Sequence, residues 1–168
     1  MHSDKLFVRI VRIILIMTKV FAKNKRAYFD YEILERYEAG IELFGFEVKA
    51  VKTGHISLRG AFVIIKDGEA FLVNATIPPY QPNNTPKDYD PSRTRKLLLK
   101  KSEIKSLIGK QKQKGLTLVP LKAYNKRGKI KIEIGLAKAK KKFDKREKIK
   151  EREFERERER AMKRTGGV

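Results

Sequence analysis

A small closed antiparallel β-barrel, mainly β with one or two short helices, followed by a basic C-terminal tail that becomes helical on binding, is the fold this 168-residue sequence predicts. Three observations point to it. Two pairs of β-rich runs are each joined through a turn containing glycine, the local signature of antiparallel hairpins. Only residues 24–136 are apolar enough to build a core. Between 138 and 164 there are 14 Lys or Arg, seven Asp or Glu and six other residues, so this segment has no apolar face to bury and finds its partner in an anion.

At the N-terminus, residues 6–17 are apolar but interrupted by Arg9 and Arg12. The run falls short of the ~20 residues a bilayer span needs, and two arginines with no small-residue cleavage site do not suit a signal peptide. Residues 1–16 are read as an upstream-start extension, with Met17 opening the functional protein. A surface-seeking helix with Lys5, Arg9 and Arg12 on one face is the alternative.

Residues 35–40 predict a short helical turn stopped by Gly40. Residues 46–51 alternate with period two after a bulge at Gly45, which predicts a half-buried strand. Residues 62–66 and 69–73 flank Asp67-Gly68, the strongest hairpin signal in the chain. Five of the six prolines fall in residues 78–92, which predicts a long surface loop. Residues 95–99 read as extended, and 102–108 as a helix with Ile104, Leu107 and Ile108 on one face. A second hairpin joins residues 116–124 to 129–134 through a turn at 125–128; its return strand points isoleucines inward and charges outward. Pro120 makes the partner an edge strand or one carrying a bulge. Five or six short strands with one or two helices suggest an OB-type barrel over residues 17–137, which closes its own edges and keeps an outer face for oligonucleotides; residues 138–168 are the tail.

Enzyme chemistry finds no foothold. There is no cysteine, and His2 and His55 are too few and too far apart in sequence for a metal motif. Gly109-Lys110 lacks both the following Ser/Thr and the upstream glycine of a phosphate loop. His55 and Ser57 share a strand face without a third member, while Glu38, Glu42 and Glu47 read as a helix-end acid and strand-surface acids. The expectation is a non-enzymatic protein with no cofactor and no metal. A net charge of +21, from 41 Lys and Arg against 20 Asp and Glu, is the footprint of a nucleic-acid binder. Basic clusters occur at 23–26, 93–101, 122–131 and 138–150, with Tyr28, Tyr31, Tyr37, Tyr80, Tyr89, Tyr124 and Phe143 as candidate stacking rings. Phe62 and Phe71 are assigned to the core.

Four segments then carry a resemblance: Gly45-Phe46-Glu47-Val48-Lys49; residues 90–99, Asp-Pro-Ser-Arg-Thr-Arg-Lys-Leu-Leu-Leu; residues 115–121, Gly-Leu-Thr-Leu-Val-Pro-Leu; and residues 133–138 continuing through Asp144-Lys145-Arg146. Together, and in consistent order over about residues 24–164, they resemble the SsrA-binding protein family, small protein B. The resemblance implies an OB-type barrel that binds the tRNA-like domain of transfer-messenger RNA and delivers it to stalled ribosomes for trans-translation. It also implies a tail that occupies the empty mRNA channel and decoding region as a helix. The partners implied are that RNA and the ribosome, in the cytoplasm, with the protein a monomer and no membrane involved. A general ribosome-associated RNA-binding protein is the alternative.

Carried over by motif, Asn24, Glu38 and Leu98 fall at positions tied to transfer-messenger RNA binding. Asn24 can donate and accept, Glu38 can accept, and Leu98 either packs on a base or supports the site from the core. Lys140, Lys141, Asp144, Lys145 and Arg146 fall at tail positions tied to tagging. The basic clusters and rings add Lys25, Arg26, Arg93, Arg95, Lys96, Tyr124, Lys126 and Lys138 to the barrel's RNA set, and Phe143, Ile149, Lys150, Arg152 and Phe154 to the tail's ribosome set. This chain has Ala139 where the family usually has glycine, Phe143 for a more common Tyr or His, Phe154 for a usual Trp and Lys100 for a usual His.

Overall fold

The computed structural model describes residues 19–165. The expectation for residues 1–16 therefore lies outside the described residues, as does any statement about the side chain of Phe143. In chain order the elements are β1 (Val20–Lys23), α1 (Lys25–Asp30), β2 (Tyr31–Ile41), α2 (Gly45–Lys52), β3 (Phe62–Lys66), β4 (Glu69–Val73), a 3₁₀ turn (Pro82–Asn84), β5 (Arg95–Leu98), α3 (Lys101–Gln111), β6 (Leu116–Lys126), β7 (Lys129–Ala139) and α4 (Lys142–Thr165).

All seven strands join one antiparallel sheet in the order β1-β6-β3-β4-β5-β2-β7, and β7 pairs back onto β6, which closes a six-stranded ring with β1 added to β6. This is the small closed barrel expected, with more strands than the five or six counted. Both hairpins are present and both use two-residue turns. Asp67 and Gly68 have φ of 52° and 73°, and Arg127 and Gly128 have 50° and 79°. Positive φ at both central positions matches the twist of the flanking strands. The second turn is thus tighter than the four-residue loop read at 125–128. The strand register shifts between Pro120 and Lys122, the bulge that Pro120 implied.

Two segments differ from expectation. Residues 35–40 are not a helical turn but the middle of β2, which pairs with β7 along most of its length and with β5 at Gly40 and Ile41. Gly40 is there for space: a Cβ would sit 3.2 Å from the Leu98 Cβ on β5. Residues 46–51 are not a strand but the helix α2. Its buried residues are Glu47, Ala50 and Val51, at i, i+3 and i+4, so one helical face turns inward and the period-two alternation is incidental. Glu47 also accepts the Phe44 N–H at 2.8 Å, satisfying one of the amide donors at the entry to α2.

Leu72, Leu97, Leu118, Ile132, Ile134 and Leu136 fill the barrel interior, with Leu107 of α3 fully buried against them. The isoleucines of β7 face inward as read. A smaller cluster of Ala27, Val119, Leu121 and Ala137 lies under α1. Phe62, assigned to the core, is instead 38% exposed. The tail forms one 24-residue helix, α4, in the isolated chain, where a helix on binding was expected. No described helix is long and apolar enough to cross a membrane.

Candidate nucleic-acid interface

Glu47 organises the end of the barrel that carries the proline-rich loop. Its carboxylate is fully buried and accepts from Arg93 Nε at 2.9 Å and Nη2 at 2.5 Å, from Arg95 Nε at 3.0 Å and Nη2 at 2.8 Å, and from the Tyr89 hydroxyl at 3.0 Å. Burial pushes the carboxyl up, but the Arg93 guanidinium, the Phe44 N–H and Arg95 outweigh it and hold Glu47 below the ordinary carboxylate value. Arg95 is itself fully buried and also donates to the carbonyls of Ala75, Pro91 and Arg93. These contacts pin the 78–92 loop to the barrel.

Two expectations change here. Arg95 has no surface to offer RNA and is a structural cation, because every donor is spent on Glu47, the loop carbonyls and Tyr89. Glu47 is not a strand-surface acid. Tyr89, tied to Glu47 and the Ile77 carbonyl, is an anchor and not a stacking ring. Arg93 stays on the surface side of this network, stacked 4.1 Å from the centre of the exposed Phe44 ring.

A second group gathers on the outer wall formed by β2, β5 and β7. Leu98 is 50% exposed and sits against Gly40, at a groove of about 350 Å3 edged by Lys129 and Lys131. Leu98 therefore presents an apolar surface to solvent and is not a core support. On the same strand as Gly40, Glu38 accepts from Lys126 Nζ at 2.8 and 2.9 Å and from the Tyr124 hydroxyl. Lys126 and Tyr124 together hold the Glu38 carboxyl below its ordinary value. Burial, then Glu38, push the Tyr124 hydroxyl well above its ordinary value, so it stays a neutral donor. Tyr124 is nearly buried, and its ring cannot stack on a base. Lys96 is paired with Glu69 at 2.5 Å.

The third group is the seam between α1 and the tail. Asn24 is buried, not exposed: its Oδ1 caps α1 by accepting the Ala27 N–H at 3.1 Å, and its Nδ2 donates to the carbonyls of Leu58 and Pro120. It joins α1, the loop before β3 and β6, and so positions Lys25 and Arg26, both exposed on α1. Asp30 at the end of α1 pairs with Arg26 at 2.7 Å and with Lys145 of the tail at 2.9 Å. Lys140 donates to the Tyr28 carbonyl at 3.0 Å, and the Arg152 guanidinium lies 5.5 Å over the Phe29 ring. Crowding against Lys148, then burial, lower the Lys140 ammonium's affinity for its proton. Lys138, Lys141, Asp144, Arg146 and Lys150 are exposed, and Ile149 and Phe154 project to solvent at 43% and 64% exposure.

The predicted residues are thus divided. Leu98 and Glu38 share the β2–β5–β7 wall, and Lys126 reaches Glu38 from the end of β6; Lys25, Arg26, Lys145 and Arg152 share the α1–tail seam. Arg95, Asn24 and Tyr124 work from inside. Sequence reasoning missed Asp30, Phe44 and the buried role of Glu47. The spacing Arg93-x-Arg95 could have signalled the last, since residues two apart on an extended segment share a side and such a pair calls for an internal carboxylate.

A family model described as SmpB protein matches residues 21–164. A protein called SsrA-binding protein from Gloeothece citriformis is 54% identical over 147 residues, 88% of this chain and 95% of its own length. Another of that name from Sulfurihydrogenibium sp. is 57% identical over 120 residues, 71% of this chain and 78% of its own. Among solved structures, a chain from "tmRNA-SmpB: a journey to the center of the bacterial ribosome" is 52% identical, covers 72% of this chain and 85% of its own, and superposes with a TM-score of 0.60.

Proposed function

The chain belongs to the SmpB protein family, and from that membership we propose that it binds transfer-messenger RNA and acts with it on the ribosome in trans-translation. The barrel takes the tRNA-like domain of that RNA; the tail enters the empty mRNA channel and decoding region of a stalled ribosome. Its place of work is the cytoplasm, where ribosomes are.

The observation that carries the barrel's part is Leu98, a half-exposed leucine set over a glycine in a lysine-edged groove. An apolar side chain beside cations suits an unpaired nucleotide, whose base face is apolar and whose phosphates are anionic. Glu38 supports this reading as an acceptor kept ionised by Lys126 and Tyr124. The tail's part is supported by its surplus of base, 14 Lys or Arg against seven Asp or Glu between 138 and 164, concentrated before residue 151. Neither part calls for covalent chemistry, and among the described residues no His, Cys, Asp and Glu cluster could hold a metal ion.

The test is binding of the full chain to the tRNA-like domain of transfer-messenger RNA and to an unrelated RNA of equal length, both at ~200 mM salt. A preference of ~100-fold, equal to ~2.7 kcal/mol, supports specific recognition. Equal binding leaves only a general ribosome-associated RNA binder. If ~6 phosphates are neutralised with slopes of ~0.7 each, affinity falls ~10²- to 10³-fold from 50 to 200 mM salt in either case, so the preference and not the affinity decides.

A further inference from the structure

The stretch from the Asp67 turn through the proline-rich loop departs from the rest of the chain in charge. Residues 67–92 hold four acids, Asp67, Glu69, Asp88 and Asp90, against Lys87 alone, in a chain with 41 Lys and Arg. Where this loop meets the start of α2, a cavity of about 410 Å3 opens. Its walls are apolar: Phe44 and Phe46, with ring centres 5.6 Å apart, then Pro86, and Tyr89 packed edge-on against Phe46 at 4.8 Å. Phe44 is half exposed. Asp88 and Asp90 stand on the rim. Asp90 accepts the Ser92 N–H at 2.8 Å, while the exposed Asp88 side chain has no hydrogen bond or ion pair among the described residues. Arg93 is the cation of the lining, and it is already committed: Nε and Nη2 donate to Glu47, and Nη1 to the Thr94 carbonyl at 3.4 Å. The loop is held in one shape. The Ile77 N–H donates to the Pro91 carbonyl at 3.0 Å and the Tyr89 N–H to the Pro86 carbonyl at 3.1 Å, beside the ties of Tyr89 and Arg95 to Glu47.

We propose that this pocket docks a Lys/Arg-rich segment of another protein, which seats a proline or aliphatic side chain among Phe44, Phe46, Pro86 and Tyr89 and places a cation beside Asp88. A preformed groove lined by aromatic rings takes an extended, proline-bearing segment at low ordering cost. Charge selects the class of partner. A nucleic-acid strand would set its phosphates against Asp88 and Asp90, where the lining guanidinium is already paired with Glu47. A basic segment is attracted to the same acids and repelled by the surplus base elsewhere on a chain of net charge +21, so this end of the barrel is where it settles. The face thus offers a protein contact on a molecule whose other faces suit RNA. The inference stands whichever RNA the barrel prefers, and it uses no residue of the tail.

Amide-resolved NMR titration of the isotope-labelled full chain at ~150 mM salt tests it. The probes are the peptide Lys-Pro-Leu-Pro-Lys-Arg, its acidic counterpart Glu-Pro-Leu-Pro-Glu-Glu, the anchorless basic peptide Lys-Ser-Gly-Ser-Lys-Arg, and pentauridylate. Saturable shifts of the Phe44, Phe46, Asp88 and Tyr89 amides are expected with the first peptide, about tenfold weaker binding with the anchorless one, and no saturation with the acidic one. Phe44→Ala and Asp88→Lys each weaken the first peptide about tenfold, through loss of an aromatic wall and reversal of the rim charge. Glu157→Lys, the same charge change at an exposed position on α4, alters it by less than about twofold. Phe44 and Asp88 are exposed, and unmoved amides in the barrel core report that each variant is folded. Tighter binding of pentauridylate than of the first peptide at these amides would make the pocket an RNA site and overturn the proposal. So would the absence of saturable shifts with the first peptide, shifts spread along the whole chain, equal binding of the acidic peptide, or equal losses in Asp88→Lys and Glu157→Lys.

Discussion

Replacing Glu47 by Gln removes one charge from the most enclosed polar network of the barrel, and its cost can be worked from the contacts. The carboxylate is fully buried and is the counter-charge of an equally buried Arg95. The amide keeps one acceptor oxygen and turns an N–H₂ group toward guanidinium donors, while Arg95 retains its carbonyl partners but loses its neutralising charge. Removing one partner of a buried ion pair costs ~3–5 kcal/mol, because the surviving charge stays desolvated. At ~2–4 °C per kcal/mol for a domain near this size, Tm falls by about 6–20 °C. Urea unfolding and calorimetry at neutral pH read both quantities. A loss below ~1 kcal/mol, the value of an exposed pair, would refute the claim that the network is desolvated and structural. The pH dependence follows in sign. The folded carboxyl lies below its ordinary value near 4.5. Its stabilisation is therefore complete above about that pH and is lost as pH falls through the folded value. The acid limb of the stability curve should be shallower in Glu47→Gln than in the parent.

Three other outcomes are expected. Gly135→Ala places a Cβ 3.0 Å from Leu121 Cδ1 and 3.2 Å from Ile33 Cγ2, and Leu121 is fully buried with little room to yield; overpacking should cost about 1–3 kcal/mol by urea denaturation, and an unchanged midpoint would contradict it. Stopping the chain at Lys141, which leaves β7 whole, should keep the preference for the tRNA-like domain and abolish tagging in a reconstituted translation assay; equal loss of both would make the tail part of the primary RNA site. A peptide of residues 138–164 should show little helix by circular dichroism in dilute buffer and more with RNA, since its i,i+3 attractions and i,i+4 repulsions nearly cancel; full helicity alone would remove the argument that binding or docking on α1 supplies the order.

The two hairpins, the strand at 95–98, α3 and the charged tail were legible because each rests on local chemistry: turn residues, periodicity or composition. The inward isoleucines of β7 needed only alternation. Residues 35–40 and 46–51 were misread because their local patterns are ambiguous and pairing decided them. Propensity favours a helix at Glu-Arg-Tyr-Glu-Ala, yet β7 and β5 supply backbone partners on both sides of Gly40. The period-two run at Phe46 gives way because Glu47 has to reach Arg93, Arg95 and Tyr89, more than 40 residues away in sequence.

The same division runs through the candidate site. Net charge, the ordered motifs and the tail's composition, all properties of the chain as a string, were enough to point to an RNA-binding factor of this family. Whether a given Asn, Arg or Tyr faces RNA or holds the scaffold depends on burial, which no local pattern encodes. Asn24, Arg95 and Tyr124 stand in motifs beside the exposed Lys25 and Lys126 and the half-buried Lys96, and only barrel closure turned the first three inward. Closure brings residues distant in sequence within hydrogen-bond reach, and that proximity made Glu47 a buried counter-ion and set Leu98 over Gly40.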